Sequence, residues 1–222
     1  MKWYNNSLVV ISLGLAFACN PYPKQKETGS RVSALPYYQE ATFTPVWFST
    51  ESDSVKQLHK IPAFQLVNQL GDTITERTFE NKIYVTDFFF TSCFGICPKM
   101  TSNMSKVQEA FLEDDEVLLL SHSVTPKYDS IPVLARYAEN NNVVADKWHL
   151  VTGMRETIYD LGRNAYFVEE DLGVAKSTDD FLHTENFVLV DKNRNIRGIY
   201  NGLNKTAIAQ LIADIETLKK EN

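Results

Sequence analysis

Ile83-Tyr84-Val85-Thr86-Asp87-Phe88-Phe89-Phe90, running straight into Thr91-Ser92-Cys93-Phe94-Gly95-Ile96-Cys97-Pro98-Lys99-Met100, is the stretch that decides the fold. Its first half is rich in β-branched and aromatic side chains, the composition of a buried strand. Downstream, Ser102, Met104, Val107, Ala110, Phe111 and Leu112 recur at mostly helical spacing. The cysteines therefore sit on a strand-to-helix turn, with Cys97 near the helix start. At i and i+4 the two thiols are expected on one side of a helical turn. There the positive end of the helix dipole favours thiolate, the form that attacks disulfides or binds metal. Two buried structural cysteines, or a static disulfide, are the alternatives.

Working outward, Val117-Leu118-Leu119-Leu120-Ser121-His122-Ser123 is another continuous apolar run, as in a sheet covered on both faces. Phe64 to Asn68 and Thr73 to Thr75, around Leu70-Gly71-Asp72, predict a hairpin. Val133 to Ala138 and Arg155 to Asn164 read as helices, with a short strand at Trp148 to Thr152 between them. Asn186 to Val190 and Ile196 to Tyr200 flank Asp191-Lys192-Asn193-Arg194-Asn195 and predict a second hairpin. Lys205 to Lys220 closes as an amphipathic helix with Ile208, Leu211, Ile212, Ile215 and Leu218 on one side.

The 222 residues suffice for one sizeable α/β domain with an extension. The net charge of -6 is spread along the chain with no basic stripe, which argues against nucleic acid as a partner. At the N-terminus Lys2 precedes a mostly apolar run, Leu8 to Ala18, too short for a bilayer span and fitting a signal-peptide core. Leu15-Ala16-Phe17-Ala18-Cys19 resembles a bacterial lipobox, although Ala16 stands where Leu is preferred. The resemblance implies cleavage before Cys19 and lipid on Cys19; plain secretion is the other reading. With Cys19 lipidated, Cys93 and Cys97 remain as a pair in a compartment that permits disulfide chemistry. Asn20 to about Arg31 reads as a tether. Leu35 to Trp47 carries too many aromatics for a free linker and is expected to pack on the domain. The expected division is thus 1–18 signal peptide, 19–60 tether and extension, and 61–222 compact domain.

The element order resembles the thioredoxin fold: a central mixed β-sheet flanked by helices, with an N-terminal hairpin extension and the cysteines on the first strand-to-helix turn. Asp87 matches the buried acid of thioredoxin's own strand, where a carboxyl can take up protons during disulfide exchange. A core aspartate satisfied by a lysine or hydroxyl explains it equally well.

Five blocks in order resemble the Sco (SenC, PrrC) family of copper-handling proteins of respiratory oxidase assembly. They are Phe90-Thr91-Ser92-Cys93-Phe94-Gly95-Ile96-Cys97-Pro98, Ser121 to Asp129, Trp148 to Gly153, Leu182 to Asp191, and Ile199-Tyr200-Asn201-Gly202. The resemblance covers about Pro62 onward and implies a copper site built from Cys93, Cys97 and His183. Two thiolates and an imidazole suit Cu(I), with Cu(II) as a second form, and three ligands leave an open face; structural zinc normally closes with a fourth. His183 falls near where thioredoxins place a cis-proline, and no proline stands between Phe181 and Val190. One departure is Thr125, where the family has an acid before Pro126; Asp129 downstream reads as a solvated loop charge. His122 and His149 read as core or edge residues, His59 as solvated, and Met100 and Met104 as core.

The resemblance implies a copper chaperone delivering to the binuclear copper centre of cytochrome c oxidase subunit II or a related respiratory oxidase. It would act from a lipid anchor on a bacterial membrane, with its domain in the periplasm among other copper or thiol-redox proteins. The alternative is a thiol–disulfide oxidoreductase in which Cys93 and Cys97 form a disulfide and reduce the acceptor's cysteines. A peroxiredoxin-like peroxidase is a poorer fit, because no arginine lies close in sequence to Cys93. A purely structural lipoprotein leaves the cysteine pair without a use.

Overall fold

The computed structural model describes Met1 and residues 29–48, 57–169 and 181–221. Its centre is β5 (Ile83–Phe89), the strand expected from composition, and all of its side chains are buried. It pairs in parallel with β6 (Val117–Ser123), from Ile83↔Val117 to Phe89↔Ser123. β6 pairs in parallel with β7 (Trp148–Thr152). On its other side β5 pairs antiparallel with β8 (Asn186–Val190), which forms the expected hairpin with β9 (Ile196–Asn201). The first hairpin, β3 (Gln65–Asn68) and β4 (Thr73–Thr75), adds to the β7 edge. The architecture is the expected α/β one: a mixed sheet, flanked by helices, in the thioredoxin-like order.

The extension does more than pack on the domain. Residues Tyr37–Tyr38 (β1) and Pro45–Val46 (β2) continue the same sheet beyond β9. Arg197 holds this edge. It is buried, donates to the carbonyls of Pro36 and Leu35, pairs with Asp191 at 3.3 Å and Glu221 at 2.5 Å, and lies 4.1 Å over the Tyr37 ring. Cys19 and most of the tether lie outside the described residues. Among the described residues no helix is long and apolar enough to cross a membrane.

Alternation in the strands separates two cores. Ile83, Val85, Phe89, Val117 and Leu119 face α1 (Cys97–Ala110), α2 (Ile131–Asn140) and α4 (Lys205–Leu218). Tyr84, Phe88, Leu118 and Leu120 face the opposite layer, with α3 (Arg155–Asp160) and the π-helical turn Leu161–Ala165. Because β5 and β6 run parallel, the loops that follow them leave the same end of the sheet. Because β8 runs antiparallel to β5, with Val188 opposite Thr86, the segment before β8 arrives at that end as well. This topology brings position 183 towards positions 93 and 97.

Candidate thiol and histidine site

β5 ends at Phe89 and α1 begins at Cys97, so Cys93 lies in the intervening loop and Cys97 is the first residue of the helix. Pro98 occupies the first turn, where its missing N–H costs nothing, and no side chain caps the helix. Instead, the Cys97, Gly95 and Ile96 N–H groups and the Cys97 thiol are directed at Cys93. Burial works to raise the Cys93 thiol, but these hydrogen bonds outweigh it and hold it below the usual thiol range. Cys97 goes the other way. Burial first, and then its bond to Cys93, push it up to about 12. The expectation of a thiolate favoured at the helix start therefore holds at Cys93, which receives the N–H groups of that end, and is corrected at Cys97, where desolvation wins.

Cys93, Cys97 and His183 line one cavity of about 410 Å³, walled by Phe88, Phe90, Val124, Phe181 and Leu182. The donor set suits a soft ion and the walls are apolar. The three side chains do not converge, however: among the described residues no three His, Cys, Asp or Glu side chains stand in a metal-holding cluster. His183 is turned outward, 79% exposed, with Nδ1 3.6 Å from Glu169. Exposed Phe94 and Phe181 stand at the cavity mouth.

Asp87 lies buried on the α1 side of the sheet. It accepts a short hydrogen bond from Ser121 Oγ, which in turn accepts from Trp148 Nε1 at 2.8 Å. Burial pushes its carboxyl up to about 7, and the Ser121 bond only partly offsets this. Of the two sequence readings of Asp87, the structure bears out the core aspartate satisfied by a hydroxyl.

Sequence reasoning missed Asp129. Far from being solvated, it is 1% exposed and accepts from Thr91 N at 3.2 Å, Thr91 Oγ1 at 2.5 Å, Ser123 Oγ at 2.6 Å and Thr125 Oγ1 at 2.9 Å. It ties the start of the cysteine loop to the loop after β6, and Thr125 serves as one of its donors. The surrounding Ser and Thr hydroxyls were the available signal. His59 is half-buried rather than fully solvated: its ring lies 4.4 Å from that of Phe167, and Nε2 is 2.7 Å from Ala165 O. His122 and His149 are core residues, and so are Met100 and Met104.

A family model described as SCO1/SenC matches residues 52–220. A SCO1 protein homolog of Bacillus subtilis (strain 168) is 26% identical over 161 residues, covering 72% of this chain and 82% of the relative. The fold is similar to that of a SCO1/SenC family lipoprotein from Bacillus anthracis str. Ames, with a TM-score of 0.63, 28% identity, and coverage of 72% of this chain and 95% of that one. It is also similar to BsSco, described as having a disulfide switch and as a member of the Sco family of cytochrome c oxidase assembly proteins. There the TM-score is 0.61 at 25% identity, covering 74% and 95%. Copper-bound ScoI of Bradyrhizobium japonicum shares the fold at a TM-score of 0.54 and 22% identity, covering 72% and 97%.

Proposed function

The chain belongs to the SCO1/SenC family, and on that premise we propose that it is a copper-binding chaperone of respiratory oxidase assembly. The observation that carries the reading is that Cys93, Cys97 and His183 line one apolar-walled cavity. Copper is the cargo, and these three residues are its proposed ligands: the two sulfurs hold the soft ion, and His183, on a separate loop, completes or releases the set. BsSco belongs to a family of cytochrome c oxidase assembly proteins and ScoI of Bradyrhizobium japonicum binds copper, which supports a respiratory oxidase as the acceptor, with subunit II of cytochrome c oxidase as the proposed one. We assign residues 61–222 to the functional domain, residues 19–60 to the tether and extension, and Cys19 to a lipid anchor holding the domain on the periplasmic side.

A second reading is favoured by the division of labour between the thiols. Cys93, held below the usual thiol range, attacks an acceptor disulfide and forms a mixed disulfide as one acceptor sulfur leaves as thiolate. Cys97 then loses its proton, for which Asp87 is the nearby carboxyl, and displaces the second acceptor sulfur. The products are a reduced acceptor and a Cys93–Cys97 disulfide, re-reduced by a periplasmic dithiol protein.

Cu(I) titration of the reduced protein separates the two. The chaperone reading expects one Cu(I) per chain, strongly weakened by His183→Ala. Equal, weak binding by both forms removes His183 from the site. The reductase reading then gains if disulfide reduction survives His183→Ala and is abolished by Cys93→Ser.

A further inference from the structure

The backbone around His183 is pinned on both sides. Leu182, 1% exposed, sits over Gly162, where an added Cβ would come within 2.6 Å of Leu182 Cδ2 and 3.0 Å of Phe88 Cε1. Thr184 Oγ1 donates to Val168 O at 2.6 Å, and Asn186 Nδ2 donates to the same carbonyl at 3.0 Å. These anchors fix the main chain and leave the imidazole to be oriented by something else.

The group facing the imidazole is Glu169. One carboxylate oxygen stands 3.6 Å from His183 Nδ1, in ion-pair range, and the other stands 3.3 Å from Arg163 Nε. A solvated carboxylate on a mobile side chain would hold no geometry. Glu169 differs: its side chain is 9% exposed, and Arg163 grips it while its own guanidinium lies 5.4 Å from the Tyr159 ring centre. The carboxylate is therefore placed before the histidine meets any ion.

Which nitrogen of a neutral imidazole carries the proton decides which one can offer a lone pair. A carboxylate attracts N–H and repels a lone pair, so Glu169 beside Nδ1 keeps the proton there and leaves Nε2 as donor. Histidines that bind metals commonly give their other N–H to such a group, and losing it typically costs 10- to 100-fold in affinity. We propose that Glu169, braced by Arg163, is a positioning residue of the copper site, holding His183 as the Nδ1–H tautomer so that Nε2 is the nitrogen presented to the ion. This rests on the reading of His183 as a ligand.

The test uses the full-length reduced protein in two measurements. Without copper, ¹⁵N spectra of the His183 ring at a pH where it is neutral expect the Nδ1–H tautomer in the wild type. Glu169→Ala reverts to the mixture of an unconstrained imidazole, and Glu169→Gln, whose amide oxygen still accepts a hydrogen bond from Nδ1–H, keeps the wild-type form. With copper, competition against a chromogenic Cu(I) chelator expects Glu169→Ala to bind about 10-fold or more weakly, with Glu169→Gln within a few-fold of wild type. An unchanged thermal midpoint in Glu169→Gln shows that the fold is intact. A wild-type tautomer and affinity in Glu169→Ala overturn the orienting role while a loss in His183→Ala leaves the ligand set standing. No loss in His183→Ala overturns both.

Discussion

His122 and His183 both stand beside the Phe88–Leu182 wall, yet the protein treats them as different chemical groups. His122, in the middle layer of β6, is fully buried and lies flat on Phe88 with ring centres 4.6 Å apart. Its Nδ1 is 3.1 Å from Thr86 Oγ1, and its Nε2 has no hydrogen-bond partner among the described residues. Burial pulls its pKa down to about 3, against the backbone hydrogen bond at Asp87 that works to raise it. His183, on the loop before β8, is mostly exposed with one carboxylate beside Nδ1. The same side chain is an apolar filler in one place and an available donor in the other. What distinguishes them is whether the surroundings leave a nitrogen with access to an incoming ion.

The largest test of this contrast is acid stability. His122 stays neutral in the folded protein down to about pH 3 and is ordinarily protonated below about pH 6.5 once unfolded. The unfolded chain therefore binds more protons across that window, and stability falls as pH drops through it. On going from pH 7 to pH 4, denaturant unfolding is expected to show the wild type losing about 3 kcal/mol relative to His122→Phe, the raised carboxyl of Asp87 shifting both proteins alike in the opposite direction. Parallel losses in both proteins would show that His122 does not stay neutral.

Next in size is copper. His183→Ala is expected to lose on the order of 100-fold in Cu(I) affinity, about 3 kcal/mol, while its unfolding midpoint stays within the ±0.5 kcal/mol of an ordinary surface change. His122→Phe is expected to bind copper as the wild type does. A reversal of these two results would exchange the roles assigned to the histidines.

Gly162→Ala probes the wall between them. Its new methyl meets Leu182 and Phe88, so repacking is expected to cost about 1–3 kcal/mol, measured by denaturant unfolding. Copper affinity should fall as well, because Leu182 is the anchor beside His183. The smallest effect is expected for Asp129→Asn. An amide NH₂ cannot accept from the hydroxyls that converge on the carboxylate, at a cost of about 1–2 kcal/mol. Faster alkylation of Cys93 should accompany the loss if Asp129 steadies the cysteine loop through Thr91.

Much of this was legible in the chain. The β5 run, the thiols on its turn, both hairpins, the closing helix and the buried Met100 and Met104 follow from local composition and period. The site was legible only as a set of residue types. His183 was picked out by its block, whereas Glu169 lay outside every block and no spacing pointed to it. Asp129 read as a loop charge because its donors come from two loops whose proximity the parallel pairing of β5 and β6 creates.

The sequence alone determined the strand-to-helix turn, the family and the identity of the three candidate ligands, because these rest on short-range pattern and on residue chemistry. The tertiary structure decided which thiol is favoured, since desolvation at Cys97 depends on what covers it. It decided which histidine is buried, since β6 lies between two layers. It also decided that β1 and β2 extend the sheet, a pairing between segments far apart in the chain, and that Glu169 reaches His183, a contact that no local period specifies. Local patterns specify elements; the dielectric, the partners and the reach of each side chain come from how those elements are packed.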